Sequence, residues 1–309
     1  MILPLGAGPI GPVAPGFKSG YVGIVGRPNV GKSTLLNRLL GEKIAIVTPK
    51  PQTTRGRILG VLNLPNAQVL FLDSPGLHQP QHALGRYMLE VVKAVMSEAD
   101  VLVAMIDARA GITADDERVF TRIRQTGRPA LLVLNKADTV RKPKLLPLLE
   151  RCARLNLFRE LIPVSALLGD QVDVLLASIL TLLPEGPRWY EEDQRTDQTL
   201  EQRISELIRE QIMLATFEEV PGAVAVQIDT LESRERVTAI QATAMVERQG
   251  QKAILIGKGG SMMKKIGTEA RAELEHLLGR KVHLEIWVKV VEDWRSDERR
   301  LRELGFLSE

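Results

Sequence analysis

The sequence predicts an α/β chain in two parts: a mostly parallel sheet with helices on both faces, followed by a smaller α+β region. Apolar strand-like runs alternate with amphipathic stretches as far as residue 183, which is typical of a parallel sheet covered on both sides. A stretch rich in proline, glycine and charge follows at 183–197 and indicates a linker. The order of helix and strand patterns changes beyond it, and 309 residues are enough for two domains.

The first region is expected to span residues 19–183, after a glycine- and proline-rich segment, 1–18, that reads as a flexible tail. Pro65 and Asn66 separate two strand-like runs and indicate a hairpin, which would place one antiparallel strand at an edge of the sheet. The predicted strands are 21–25, 57–64, 67–73, 101–107, 130–135 and 161–165, and the predicted helices are 33–41, 84–98, 114–126, 141–155 and 172–183.

The second region is assigned to residues 199–309, with the linker at 184–198. The segment ILIGKGGS, residues 254–261, is predicted to follow a strand and precede a helix. The stretch 261–278 is expected to form two short helices, or one helix broken at Gly267. The other predicted elements are helix 199–214, strands 223–229, 237–247 and 282–290, and a final helix at 297–305.

Composition excludes several classes of protein. The single cysteine, Cys152, cannot form an internal disulfide, which fits a reducing cytosol. The four histidines lack metal-ligand spacing, so no zinc site is expected. No run approaches the ~18 apolar residues of a membrane span, and the first residues lack the features of a signal peptide. A cytoplasmic location is therefore expected.

Charge is distributed unevenly along the chain. Residues 1–186 carry 22 basic and 15 acidic side chains, whereas residues 187–309 carry 19 and 23. The second region is thus slightly acidic and does not look like a general binder of polyanions. Within it, however, residues 248–289 hold nine lysines or arginines against four glutamates, so positive charge is concentrated around ILIGKGGS.

The segment GRPNVGKS, residues 26–33, matches the G-x-x-x-x-G-K-S phosphate loop and lies between a predicted strand and a predicted helix. Its glycines would let backbone N–H groups surround phosphate oxygens. Lys32 would reach the β- and γ-phosphates, and the Ser33 hydroxyl would bind Mg²⁺. A chance match on a strand–turn–helix is the alternative. The nucleotide contacts expected from this segment are Gly26, Asn29, Val30, Gly31, Lys32, Ser33 and Thr34.

The segment NKAD, residues 135–138, predicts guanine specificity. It follows an apolar strand, and ligands bind at the carboxyl ends of the strands in α/β sheets. Asp138 can accept two hydrogen bonds from guanine, and adenine offers neither. Asn135 and Lys136 would brace the pocket. Ser165 and Ala166 follow the next strand, and the Ala166 N–H could meet guanine O6.

Two further segments are expected at the γ-phosphate. In DSPG, Asp73 would hold Mg²⁺ and the Gly76 N–H would meet the γ-phosphate. In PQTTRGR, residues 51–57, Thr54 is favoured over Thr53 as a further Mg²⁺ ligand, against the alternative that either threonine only caps the loop. Lys32, Thr54 and Gly76 are therefore the candidate catalytic residues. Residues 47–56 and 74–84 are candidate order–disorder switches.

ILIGKGGS lacks the spacer of a nucleotide loop but contains the I-G-x-x-G turn of KH domains, which clamps about four nucleotides. Gly257 and Gly260 would allow a nucleic-acid backbone to approach, and Lys258 would bind a phosphate. A purely structural turn is the alternative. The candidate RNA-binding residues are Ile254, Ile256, Gly257, Lys258, Gly259, Gly260, Lys264, Lys265 and Arg271.

The five nucleotide motifs in this order resemble the translation-factor-like GTPases, and GRPNVGKSTLLN with PKPQTTRGR resembles the Era family of bacterial ribosome-assembly GTPases. The resemblance implies a P-loop GTPase domain followed by a type II KH domain, with GTP, GDP and Mg²⁺ as ligands. It implies that the RNA is the 3′ end of 16S ribosomal RNA and that the function is 30S subunit maturation. It also implies K⁺ beside Asn29 and loose association with the inner membrane face. A monomer that does not bind DNA is expected.

Some details leave alternatives open. Leu77 stands where Ras-like proteins use glutamine to orient water, so slow intrinsic turnover is expected.

The alternatives to the GTPase interpretation are a P-loop kinase or ATPase, which NKAD disfavours, and a hydrolysis-dead scaffold. A GTPase of transfer RNA modification is disfavoured because a C-terminal catalytic cysteine is lacking. In a further alternative, the GTPase acts on another RNA or on a protein partner, and the second glycine loop has only a structural role.

His78 and His82 are given little weight as catalytic groups. Trp189, Tyr190, Trp287 and Trp294 are predicted to pack rather than to stack on bases.

Overall fold

The computed structural model describes residues 9–77 and 80–307, so His78 lies outside the described residues. The chain forms two compact units. Residues 46–53 and 80–87 belong to the second unit, together with the described residues from 198 onward, whereas the rest of the described chain forms the first. Within the described ranges, no helix combines the length and the apolar character needed to cross a membrane.

The first unit contains a six-stranded sheet in the order β2-β3-β1-β4-β5-β6. Only β2 runs antiparallel, and it pairs with β3 in the predicted hairpin at one edge. The predicted parallel sheet and its antiparallel edge strand are therefore confirmed. The strands are β1 (Lys18–Gly26), β2 (Ile58–Leu64), β3 (Ala67–Asp73), β4 (Val101–Asp107), β5 (Ala130–Asn135) and β6 (Leu161–Val164).

Helices connect these strands, and residues on β3, β4 and β5 are buried along the whole of each strand. That burial explains why these strands read as continuous apolar runs, because helices cover both faces of a parallel sheet. Amphipathic helices lie against the sheet with one apolar side, as Leu35 and Leu36 of α1 show. The helices are α1 (Lys32–Leu40), α2 (Ala83–Glu98), α3 (Ala114–Thr126), α4 (Lys142–Ala153) and α5 (Val172–Leu182).

The described part of the expected tail makes definite contacts. Strand β1 begins at Lys18, three residues before the predicted start. Phe17 is buried, and the Arg188 guanidinium lies 5.6 Å from the centre of its ring. The Ile10 N–H donates to the Arg188 carbonyl at 2.7 Å. Residues 1–8 lie outside the described residues.

The stretch expected to link the two regions packs against the first unit. The Gln68 side chain accepts from the backbone N–H groups of Trp189 and Tyr190 and donates to the Tyr190 carbonyl. The Val61 N–H donates to the Arg195 carbonyl at 2.8 Å. These contacts hold the stretch beside β2 and β3.

The second unit contains a three-stranded sheet in the order β7-β8-β9, with β7 and β8 antiparallel and β8 and β9 parallel. Apolar residues of α6, α8 and α9 form one core with this sheet. The two helices between β8 and β9 are α8 and α9, and not two halves of 261–278 as expected. The elements are α6 (Leu200–Ala215), α7 (Val220–Ala223), β7 (Ala225–Ser233), β8 (Val237–Val246), α8 (Gln249–Ile256), α9 (Ser261–Leu278), β9 (Lys281–Val290) and α10 (Glu298–Glu303).

Several expectations about the second unit are wrong. The first three residues of ILIGKGGS form the end of helix α8, so its glycine turn follows a helix and not a strand, and 261–278 is one continuous helix through Gly267. A short apolar run such as AILI fits either a strand or a buried helix. The start of helix α8 is stabilised by Gln251, whose Oε1 accepts the Arg248 N–H at 3.1 Å. Trp287 was expected to pack but is 63% exposed, whereas Trp294 and Tyr190 are buried.

Candidate nucleotide site and nucleic-acid groove

The phosphate loop joins the end of β1 to the start of α1, as the sequence predicts. Gly31 directly precedes α1 with φ 101°, a conformation that strains residues with a side chain. A Cβ at this position would lie 2.3 Å from Asn135 Nδ2. That nitrogen donates to the Val30 carbonyl at 2.7 Å. Only glycine therefore allows Asn135 to fasten the loop, and Thr34 follows in the first turn of the helix.

Lys32 is 6% exposed, and its ammonium donates to the carbonyls of Gly26 (3.2 Å) and Arg27 (3.1 Å). Burial lowers the pKa of Lys32 to about 8, and the nearby Asp73 carboxylate partly opposes this shift. When a nucleotide binds, the Lys32 ammonium can exchange its hydrogen bonds with these carbonyls for hydrogen bonds with phosphate oxygens.

The three predicted metal ligands meet beside Lys32. Ser33 Oγ donates to Asp73 Oδ2 at 2.6 Å, and Thr54 Oγ1 lies 3.0 Å from Ser33 Oγ. Asp73 is fully buried, and this burial raises the pKa of its carboxyl. Its Oδ1 has no hydrogen-bond partner within the described part of the chain. Two hydroxyls and a carboxylate with an unused oxygen suit Mg²⁺, which prefers oxygen ligands.

Thr53 faces elsewhere. Its hydroxyl lies 2.7 Å from Thr48 Oγ1 and donates to the Lys50 carbonyl at 2.8 Å. Only Thr54 of the two threonines is near Ser33 and Asp73, which favours it as the metal ligand.

Gly76 follows β3 and lies beside the phosphate loop, since the next residue, Leu77, donates its N–H to the Gly26 carbonyl at 3.2 Å. The Leu77 side chain is buried. It offers no polar group to orient water, as the sequence predicts.

The predicted base-binding residues also meet. Asn135 Oδ1 accepts the Ala166 N–H at 3.0 Å, so one side chain holds both the phosphate loop and the Ser165–Ala166 segment. Lys136 Nζ donates to the Asn29 carbonyl at 2.8 Å. Asp138 lies in the turn after Lys136 and is exposed. In this structure the Ala166 N–H is thus engaged by Asn135, whereas the Asp138 carboxylate faces solvent.

Asp107 was missed by the sequence analysis. It ends β4, and its Oδ2 accepts from Lys136 Nζ at 2.7 Å and from Arg109 Nη2 at 3.1 Å. Burial opposes ionisation, but hydrogen bonds from Arg109 and Lys136 hold the pKa of Asp107 well below its usual range. Its position at the end of the strand beside β5 was the available signal.

The second glycine loop separates α8 from α9. Gly257 has φ 73°, and a Cβ there would lie 2.7 Å from the Cβ of Met262. The loop opens onto a groove of about 730 Å³ whose lining includes Lys252, Ile256, Gly260, Lys264, Arg271 and Ile286. Four predicted RNA contacts therefore line the groove, together with Lys252, which the sequence analysis missed.

The remaining predicted RNA contacts surround the groove rather than line it. Lys258 and Gly259 form the exposed tip of the loop, and Lys265 is exposed on α9. Ile254 lies on helix α8 and is 46% exposed. Ile254 is not among the residues that line the groove.

Nucleotide affinity is expected to fall as the pH rises above about 8. Lys32 is charged below this pKa, and above it the lysine must take up a proton before it can pair with phosphate. The loss should approach about tenfold per pH unit. GDP dissociation constants measured from about pH 7 to about pH 9 test this. A Lys32→Arg variant keeps its charge over that range and should give a flatter profile; a flat wild-type profile would contradict the assignment.

Comparisons with known proteins agree with both regions. Residues 21–136 match the family described as 50S ribosome-binding GTPase, and residues 219–295 match the KH domain family. The chain is 45% identical over 294 residues to GTPase Era of Staphylococcus haemolyticus (strain JCSC1435), covering 94% of this chain and 98% of that protein.

Two solved structures are also similar along most of the chain. One is Era in complex with MgGDPNP and nucleotides 1506–1542 of 16S ribosomal RNA, with 44% identity and a TM-score of 0.92. The other is a point variant of Aquifex aeolicus Era bound to GDP·AlF4⁻, with 44% identity and a TM-score of 0.91. Each covers 94% of this chain and is itself covered completely.

Proposed function

Because this chain belongs to the Era family of GTPases, we propose that its second unit binds the 3′ end of 16S ribosomal RNA and that GTP hydrolysis times this binding during maturation of the 30S subunit. The glycine loop between α8 and α9, which opens onto a groove edged by lysines, carries the proposal. The RNA-bound structure of a related Era supports the identity of the RNA.

The chain is a GTPase, and the roles of its residues follow from their placement. Lys32 would leave the carbonyls of Gly26 and Arg27 to bind the β- and γ-phosphates. Ser33, Thr54 and Asp73 would hold Mg²⁺, which neutralises charge on the phosphate oxygens when bound. The Gly76 N–H would donate to the γ-phosphate. The apolar Leu77 side chain cannot position water, so intrinsic turnover is expected to be slow.

Guanine would be selected by Asp138, which lies exposed at the rim of the base site. Asn135 and Lys136 fix the shape of this site through their bonds to the phosphate loop. One hydrogen-bonded set of side chains would therefore bind both the base and the triphosphate.

In the second unit, Gly257, Gly259 and Gly260 all have positive φ. This conformation exposes the backbone of the loop, and the start of α9 then offers N–H groups to a phosphate. Lys258, Lys264, Lys265 and Arg271 would neutralise neighbouring phosphates. Bases would lie over Ile256 and the apolar floor of the groove.

Two further proposals follow from family membership, namely K⁺ bound beside Asn29 and peripheral association with the inner membrane face. We also propose a monomeric, cytoplasmic protein that does not bind DNA. GTPase rates that are equal in Na⁺ and K⁺ would remove the first of these.

The proposal is tested by RNA binding to the intact protein, with GDP and with a non-hydrolysable GTP analogue. We expect an oligonucleotide from the 3′ end of 16S ribosomal RNA to bind more tightly than a scrambled oligonucleotide, and more tightly with the analogue than with GDP. Replacing both Lys258 and Lys264 with glutamate should weaken binding by about tenfold or more, because each contributes a phosphate contact.

The matched control replaces two exposed lysines of α4, Lys142 and Lys144, with glutamate. This change should leave RNA affinity unchanged. Both double variants should hydrolyse GTP like the wild type. Equally weak binding of the two oligonucleotides in both nucleotide states would show that the second glycine loop is only a turn.

A further inference from the structure

The segment of residues 46–53 lies within the sequence of the first unit but belongs structurally to the second. Its first residue, Ile46, is 3% exposed and forms part of the second core, together with Ile204 and Ile208 of α6. Near its middle, the Lys50 ammonium lies 4.2 Å from the centre of the Phe217 ring, close enough for a cation–π interaction. The segment is therefore anchored by apolar burial as well as by polar contacts.

Two neighbouring residues of α6 hold the ends of the segment. The Val47 N–H donates to Glu210 Oε1 at 2.8 Å. At the other end, Arg209 Nη2 donates to the Thr53 carbonyl at 2.5 Å. Both side chains are 2% exposed, and hydrogen bonds that involve charged groups are stronger than neutral ones.

Arg209 is itself fixed in place by Glu206. Its Nε donates to Glu206 Oε1 at 2.8 Å, and its Nη2 donates to Oε2 at 2.5 Å. This two-point pairing sets the plane of the guanidinium. The direction from which Arg209 reaches the Thr53 carbonyl is thus determined by α6.

The Thr53 carbonyl and the Thr54 nitrogen share one planar peptide unit. Fixing that carbonyl consequently fixes the point at which the chain enters Thr54. The Thr54 hydroxyl lies 3.0 Å from Ser33 Oγ and 3.5 Å from Asp73 Oδ2, where Mg²⁺ would bind with GTP.

We propose that Arg209 and Glu210 are positioning residues for GTP: they hold residues 46–53 so that the Thr54 hydroxyl reaches Mg²⁺ and the γ-phosphate. The inference rests on the proposed role of Thr54. Segments of this kind contact Mg²⁺ and the γ-phosphate and release them on hydrolysis. GDP binding does not need Thr54, so the contribution of Arg209 and Glu210 is specific to the triphosphate state.

Nucleotide affinities of the full chain in the presence of Mg²⁺ test this proposal. Arg209→Met and Glu210→Ala should each weaken binding of a GTP analogue by about tenfold, which is the usual effect of losing a charged hydrogen bond. Their affinity for GDP should stay within about twofold of the wild type. Glu210→Gln should bind both nucleotides like the wild type, because the amide oxygen still accepts the Val47 N–H.

Two further variants complete the test. Ser205→Ala, on the same helix, should leave both affinities unchanged. Thr54→Ala examines the underlying role: if it leaves analogue affinity intact, the proposed role of Thr54 fails. If Thr54→Ala weakens analogue binding but Arg209→Met and Glu210→Ala do not, only the positioning inference fails.

Equal weakening of GDP and analogue binding in the Arg209 and Glu210 variants would also overturn the inference, because it would indicate general damage to the fold. Thermal unfolding identifies a variant that does not fold. If Arg209→Met does not fold, the comparison of Glu210→Ala with Glu210→Gln tests the proposal by itself.

Discussion

Replacing Lys32 with alanine is expected to lower GTP hydrolysis by at least about a hundredfold. Lys32 is the buried cation above the phosphate loop, where its ammonium donates to the carbonyls of Gly26 and Arg27. Alanine would leave the β- and γ-phosphates without this donor as negative charge moves toward the leaving oxygen. Single-turnover phosphate release at saturating GTP measures the effect on the chemical step.

The matched control is Lys142→Ala, an exposed lysine of α4 in the same unit, which should hydrolyse GTP at the wild-type rate. A Lys32→Ala rate within roughly threefold of the wild type would place Lys32 away from the phosphates. Such a result would leave the metal site and the base site unaffected, because neither assignment depends on Lys32.

Replacing Asp138 with asparagine is expected to lower affinity for guanine nucleotides by about a hundredfold or more. The carboxylate can accept hydrogen bonds from both the N1–H and the exocyclic amine of guanine. An amide has one acceptor and one donor group. Xanthine carries a carbonyl in place of that amine, so the variant should instead gain affinity for xanthosine triphosphate. Displacement of a fluorescent guanine nucleotide by each triphosphate measures the change in preference.

Asp173→Asn provides a control for this substitution, because Asp173 is an exposed acid at the start of α5. It should retain the wild-type preference for guanine. Unchanged guanine affinity in Asp138→Asn would show that another group reads the base, and the Ser165–Ala166 segment would then be examined first.

Much of the first unit could be predicted from local patterns. Strands β3, β4 and β5 are short apolar runs bounded by turns, and Pro65–Asn66 marks the hairpin. The candidate nucleotide-binding residues could be found for the same reason, since motifs at the ends of parallel strands meet at one edge of the sheet. Helix α8 could not be predicted as reliably, because four apolar residues have no clear period.

Other features depend on contacts that no local pattern records. Nothing in residues 46–53 indicates that Glu210 and Arg209 will bind them, because their partners lie far along the chain. From the sequence, Asp107 can be recognised only as an acidic residue at the end of a strand. Its hydrogen bonds with Lys136 and Arg109 are visible only in the folded structure. The folded arrangement of distant segments therefore supplied what the sequence analysis lacked.

The presence of Ile46 in the second core has a consequence for the order of folding during synthesis. Its core partners on α6 begin at Ile204, roughly 160 residues later, and at usual translation rates they emerge roughly 8 to 30 seconds afterwards. Once Ala166 has emerged, and until α6 follows, the first unit has its phosphate loop and base site but lacks the anchor of residues 46–53. With the role proposed for Thr54, a nascent chain would acquire nucleotide before Thr54 can distinguish GTP from GDP, and this discrimination would begin only after α6 has been synthesised.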